Sequence, residues 1–242
     1  MQIVNHAMKI VSKDIKCDKF LWLWTTFFML YMAISFSFLI NRQFEDHEFF
    51  NPFADFLMMM VSPMMGFFFS RRSFKYLSED SYTQMLFYYR SIPVPTEAVI
   101  LSRAFMGLSA FVLNGIVFFG VTYAIASDLR SYMDLAAYAS FGISWIGIGI
   151  LIHGLYIYFE FMSSGKAYFW FTILLMFIFG VIMLGLIFVS GFRISLFGYF
   201  VVASYKWKLL SPVMWGSLAL GLTGYILMCR LTYKRMRLRD LS

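Results

Sequence analysis

Four residues in the apolar blocks of this 242-residue chain carry groups that could do chemistry: Asp55, Asn114, His153 and Glu160. A polar or ionisable group is expensive to keep in a membrane span, so each is a candidate for proton handling or substrate contact. His153 and Glu160 are seven residues apart and share one helix face, but about 10 Å of axial rise separates them, too far for an unaided hydrogen-bonded dyad. An intramembrane enzyme using these two residues is therefore the lesser alternative. His153 reads better as an interhelical packing or hydrogen-bonding residue, and Asp55 as a solvated residue at the outer mouth of a span. The sequence contains no HExxH, paired CxxC, GxSxG or acidic cluster suited to a divalent metal. Its Gly165-Lys166 pair lacks the upstream glycine and the following Ser/Thr of a phosphate cradle. If the chain works with ATP, another chain must bind it.

The elements that hold these residues are membrane helices. The chain is 61% hydrophobic and 14% charged, against about 45–50% and about 25% in soluble domains. Its apolar residues fall in blocks about 20 long and apolar on every face, the length of a spanning helix. Six spans are expected, at 21–40, 53–70, 104–126, 135–158, 168–190 and 211–230, in a single domain over 1–242. Residues 1–19 place Val4, Met8, Val11 and Ile15 on one stripe and Lys9, Lys13 and Lys16 opposite it, the pattern of an interfacial helix. The 191–210 segment is aromatic but too short to cross, and it ends in Tyr205, Lys206, Trp207 and Lys208; it reads as a helix or re-entrant segment at the outer face. With the N-terminus inside, fifteen of the twenty basic residues fall on cytoplasmic pieces, which places both termini in the cytoplasm. The net charge of +7 then reflects topology and lipid headgroups rather than nucleic acid. Cys17 and Cys229 lie near cytoplasmic span ends, where a disulfide is not expected.

Pro63 invites a kink in the second span, and methionines cluster around it. Met59, Pro63, Met64, Asn114 and His153 form the candidate lining of a substrate path, since methionine adapts to irregular apolar partners. Ser140/Ser144 and Ser217/Gly221 have the spacing that lets helices approach closely, within one chain or across a dimer.

The long polar interruption, 71–103, contains Glu79 and Asp80 and then a short helix, Tyr82–Ser91, that stops before Pro93. Ser81 and Gln84 have capping-box spacing. The aromatic density of this helix (Tyr82, Phe87, Tyr88 and Tyr89 beside Met85) suits a docking surface. The loop resembles the first cytoplasmic loop of ABC-2-type transporter permeases: an acidic pair, a short helix, a hydrophobic-Pro-Val/Ile step, then a helix start leading to a basic residue. The matching residues are Glu79, Asp80, Ile92, Pro93, Val94, Glu97 and Arg103. The chain departs from that pattern at Pro95-Thr96, where the family usually has basic residues, and at Ser81-Tyr82 in place of Gly-aromatic.

The resemblance implies an all-α membrane subunit with an N-terminal elbow helix and six spans, in a bacterial plasma membrane. It further implies two copies of a separate ABC ATPase carrying ATP and Mg, a second permease chain, and export of a hydrophobic or amphipathic substrate. The loop residues expected to couple to the ATPase are Ser78, Glu79, Asp80, Tyr82, Met85, Tyr88, Tyr89, Arg90 and Pro93. A membrane scaffold or immunity subunit that docks an ATPase without transporting is the other alternative.

Overall fold

The computed structural model describes residues 2–46, 52–190, 195–236 and 238. Arg193, Arg237 and Arg239 of the charge count, and the start of the 191–210 segment, lie outside that set. The described residues are mostly helical, with no strand among them. The helices are α1 (Gln2–Cys17), α2 (Lys19–Asp46), α3 (Pro52–Met64), α4 (Arg71–Glu79), α5 (Ser81–Ser91), α6 (Thr96–Ile125), α7 (Ser127–Tyr132), α8 (Leu135–Met162), α9 (Gly165–Ser190), α10 (Leu196–Trp207) and α11 (Pro212–Met236). Five of them, α2, α6, α8, α9 and α11, are long and apolar enough to cross a bilayer. The chain is a multi-pass membrane protein.

The block expected as the second span, 53–70, is not a continuous helix. α3 ends at Met64, a turn follows at Met65–Gly66, and residues 67–70 are non-helical. Pro63 has no N–H to continue the ladder. Met65 N–H still reaches Val61 O, but the two N–H groups beyond it fall back on i−3 carbonyls, Gly66 to Pro63 and Phe67 to Met64. A break at this depth exposes carbonyls that lipid cannot satisfy. Asn114 of α6 supplies the missing donors: its Nδ2 bonds Met65 O at 2.9 Å and Phe67 O at 3.1 Å.

The broken segment nonetheless runs the length of the bundle. Near its start, Asp55 accepts from the N–H groups of Leu196 and Phe197 at the head of α10. At its finish, Phe68 stacks on Trp22 at 3.9 Å and Phe69 N–H donates to Thr25 Oγ1, beside the beginning of α2. The far end of α2 lies with α7, where Asn41 and Asp128 bond reciprocally.

α8 is the central helix, packed by α3, α6, α10 and α11. Its glycines admit two neighbours at backbone distance. A Cβ on Gly147 would lie 2.6 Å from the Ser217 carbonyl carbon, and one on Gly149 would lie 2.4 Å from Ser62 O. A Cβ on Gly221 would lie 2.2 Å from Gly147 O. The Ser217/Gly221 pair therefore serves packing inside this chain.

α1, α4 and α5 gather at the end of the bundle where α2 and α6 begin and α11 finishes, here the basic end. α1 buries Ala7, Ile10, Val11 and Asp14, and it packs on α6. Of the expected stripe, Val11 is buried and Ile15 half-buried; Val4 and Met8 are exposed, and Lys9, Lys13 and Lys16 lie farther around. The helix thus has three faces rather than two. α4 starts at an N-cap, Ser70, whose side chain accepts from Ser73 N–H, and α5 follows after one left-handed residue, Asp80 (φ 47°).

Candidate functional site

The α4–α5 corner is held to the spans by its own polar groups. Asp80 Oδ1 accepts from Gly165 N–H at 2.6 Å, so this carboxylate sits at the N-terminus of α9. No side-chain capping bond from Asp80 closes α5, and Ser81 is that helix's first residue rather than its cap; Gln84 Nε2 instead donates to Glu79 O at 2.6 Å. A Cβ on Gly165 would lie 1.7 Å from Tyr76 O, so α4 can rest there only because residue 165 is glycine. At the other end of α5, Arg90 donates to Met236 O of α11 at 3.0 Å.

The expected coupling residues divide by this geometry. Tyr82, Met85 and Tyr89 are buried against the bundle. Ser78, Glu79, Tyr88, Arg90 and Pro93 are exposed, and Asp80 is partly so. Phe74 and Leu77 of α4 and Phe87 of α5 join them as large exposed apolar side chains. Helix α4 lies in a stretch whose polar composition resembles a loop; Ser70 ahead of Arg71 is the N-cap signal in the sequence that marks its start. Beside this surface runs a cleft between α1, α4 and α5, lined by Lys13, Arg71, Lys75, Glu79 and Tyr88 among others. Lys13 Nζ donates to Tyr88 OH at 3.3 Å. Burial acts against the Lys13 ammonium, but that bond and the neighbouring rings and Asp14 leave its pKa raised.

Beneath α5 lies a buried ion pair, Arg103 of α6 with Glu160 of α8, at 2.7 Å. Arg103 also reaches Met85 Sδ at 3.5 Å, and Asp14 of α1 lies within its electrostatic range. The pair borders a polar pocket of about 40 Å³, shared with His153, Tyr82, Ser70 and Ser73. Burial, and then the Glu160 charge, push the Tyr82 phenol well above its ordinary value, so it stays protonated.

A second, apolar groove of about 180 Å³ lies between α3 and α9. It shares Phe67, Ser73 and Tyr82 with the polar pocket. Pro63 and Met64 line this groove together with Met60; Met59 is packed in the core instead. His153 lines the polar pocket and not this groove, enclosed by Phe67 (4.5 Å), Phe111 (5.5 Å) and Tyr225 (6.1 Å). Asn114 lines neither space. The five expected path residues therefore take separate places: two in the groove, one in the polar pocket, one as the partner of the α3 break and one in the core. Glu160 is engaged with Arg103, and His153 and Glu160 form no dyad. Asp55 is 2% exposed and holds the head of α10; the expectation of a solvated outer residue is corrected, because two N–H donors replace the water.

Comparison with family models, curated proteins and solved structures finds no match for this chain.

Proposed function

We propose that this chain is the membrane subunit of an ATP-driven exporter of the ABC-2 type, crossing a bacterial plasma membrane six times with both termini inside. The broken α3 segment is the sixth crossing, α1 is the interfacial elbow, and the basic end is cytoplasmic. A separate ABC ATPase, in two copies, binds ATP and Mg, and a second permease chain completes the transporter. The chain itself supplies no catalytic group. The observation that carries the reading is the two-sided character of α5. Its inner side (Tyr82, Met85, Leu86, Tyr89) is packed into the bundle and its two ends are tied to α9 and α11. Its outer side offers exposed Phe87 and Tyr88, and the adjoining α4 exposes Phe74 and Leu77. A helix docked by a partner on one side and bonded to two spans at its ends can pass a rigid-body displacement into the membrane.

The α1 geometry supports the same topology, since exposed Val4 and Met8 lie between a protein-packed face and a lysine face. Affinity purification of the full chain from its source membrane is expected to bring down a nucleotide-hydrolysing subunit. The double change Phe87→Ala/Tyr88→Ala is expected to lower that recovery at least tenfold, with membrane insertion unchanged. Undiminished recovery would remove α5 from the docking surface.

A further inference from the structure

We infer that the aromatic groove between α3 and α9, together with the polar pocket behind Tyr82, binds an amphipathic organic cation: a single positively charged head on an apolar chain. The inference deepens the export reading by naming a substrate class, and rests on it for the word substrate. The binding itself follows from the order of residues along the groove and from its clustered rings.

Along α9, Tyr168, Thr172, Met176 and Phe179 line one wall from the basic end inward. The polar-capable rings therefore lie at headgroup depth and the purely apolar side chains lie deeper. Tyr168 meets Tyr82 at 4.9 Å and Tyr76 at 5.5 Å, both edge-on, while Tyr76 and Tyr82 stack at 5.5 Å. All three border the groove. Clustered electron-rich rings attract a desolvated cation, quaternary ammonium above all.

None of the residues lining the groove is charged, so no fixed cation opposes a positive head. Across Tyr82, the pocket holds one guanidinium, Arg103, with Glu160 paired to it and Asp14 within electrostatic range. The Arg103–Glu160 pair is neutral and Asp14 faces the Lys13 ammonium as well, so the pocket sets no net fixed charge against a positive head, and the rings decide the sign. The groove's volume of about 180 Å³ falls below the about 300–1,000 Å³ of sites that enclose drug-sized ligands. It accommodates a head and the first part of a chain, with the remainder in the bilayer, the posture of an amphiphile taken from the leaflet at the basic end.

The test uses the full chain alone in nanodiscs of phosphatidylethanolamine and phosphatidylglycerol, with radiolabelled dodecyltrimethylammonium as probe and empty nanodiscs subtracted. Saturable binding is expected, with dodecyl sulfate, which has the same tail and opposite charge, competing at least tenfold more weakly than unlabelled probe. Thr172→Trp, which fills the groove from α9, and Tyr168→Leu should each weaken binding at least tenfold. Tyr168→Phe, which keeps the ring, should stay within about threefold. Equal competition by the sulfate, or wild-type binding by Thr172→Trp, overturns the inference. Loss of probe binding in phosphatidylcholine nanodiscs also overturns it, by assigning the site to a lipid headgroup. The charge comparison is made on the unaltered chain, so it decides the matter even where a variant fails to fold. No ATPase is present, so failure to bind leaves the docking proposal standing, and loss of docking leaves this result standing.

Discussion

Arg103 and Glu160 are stable where they are only as a pair. Removing one partner strands a charge in a region with little water, at a cost of about 3–5 kcal/mol, whereas replacing both with packed apolar side chains is often neutral or better. Glu160→Gln is expected to lower the thermal unfolding midpoint in detergent clearly, and Arg103→Met/Glu160→Met to recover most of the loss. A double variant no more stable than Glu160→Gln would show that the pair does more than neutralise itself. Asn114 acts by a different rule. Asn114→Leu leaves the Met65 and Phe67 carbonyls without donors, costing about 1–3 kcal/mol, and should speed amide exchange selectively over residues 65–70. At the opposite end, Lys208 donates to the exposed Asp134, whose carboxylate also accepts from Ala137 N–H. These bonds, the Lys208 one first, hold the Asp134 pKa below its ordinary value. A depressed acid contributes stability above its unfolded pKa and loses it as pH falls through the folded one. Asp134→Asn should therefore flatten the acid side of a plot of unfolding midpoint against pH, below about pH 4.

At the scale of elements, the sequence foretold what local chemistry controls and missed what neighbours control. The stop of α5 before Pro93 follows from proline's missing N–H and fixed φ, whereas Pro63 announced only a kink in a segment that ends one residue later. That α3 breaks rather than kinks depends on Asn114 and on Gly66, where a Cβ would lie 2.6 Å from Phe111 and 2.7 Å from His153; neither is visible in the 53–70 block itself. The inward face of α5 was hidden for a similar reason. Aromatic side chains occur on both sides of it, so composition marked a surface without saying which side was outside. The α1 stripe was misplaced because Val4 and Met8 are as apolar as the buried positions, and only α6 distinguishes the two. At the α4–α9 junction, Gly165→Ala brings a methyl against Tyr76 O and should displace α4, read as new proteolytic cleavage within 71–91. Cleavage unchanged from wild type would mean that the corner does not depend on this contact.

At the scale of the whole molecule, the helical membrane class and the five long helices were legible from apolar block length alone. Which polar residues would meet was not. Asp80 finds Gly165, Arg103 finds Glu160 and Asp55 finds α10 across long stretches of sequence, and pairings of that kind carry no periodic signal. The bond from Gly165 N–H to Asp80 also bears on how the protein is made. A chain still on the ribosome exposes the α4–α5 corner well before residue 165 has been added. Until α9 arrives, Asp80 has no amide to accept from and Tyr76 has no glycine to rest on. The surface offered to a partner is therefore finished late, after most of the spans have been synthesised. A chain truncated after Ser164 should insert α2, α6 and α8 yet leave residues 71–91 open to protease, while one extended through α9 should protect them.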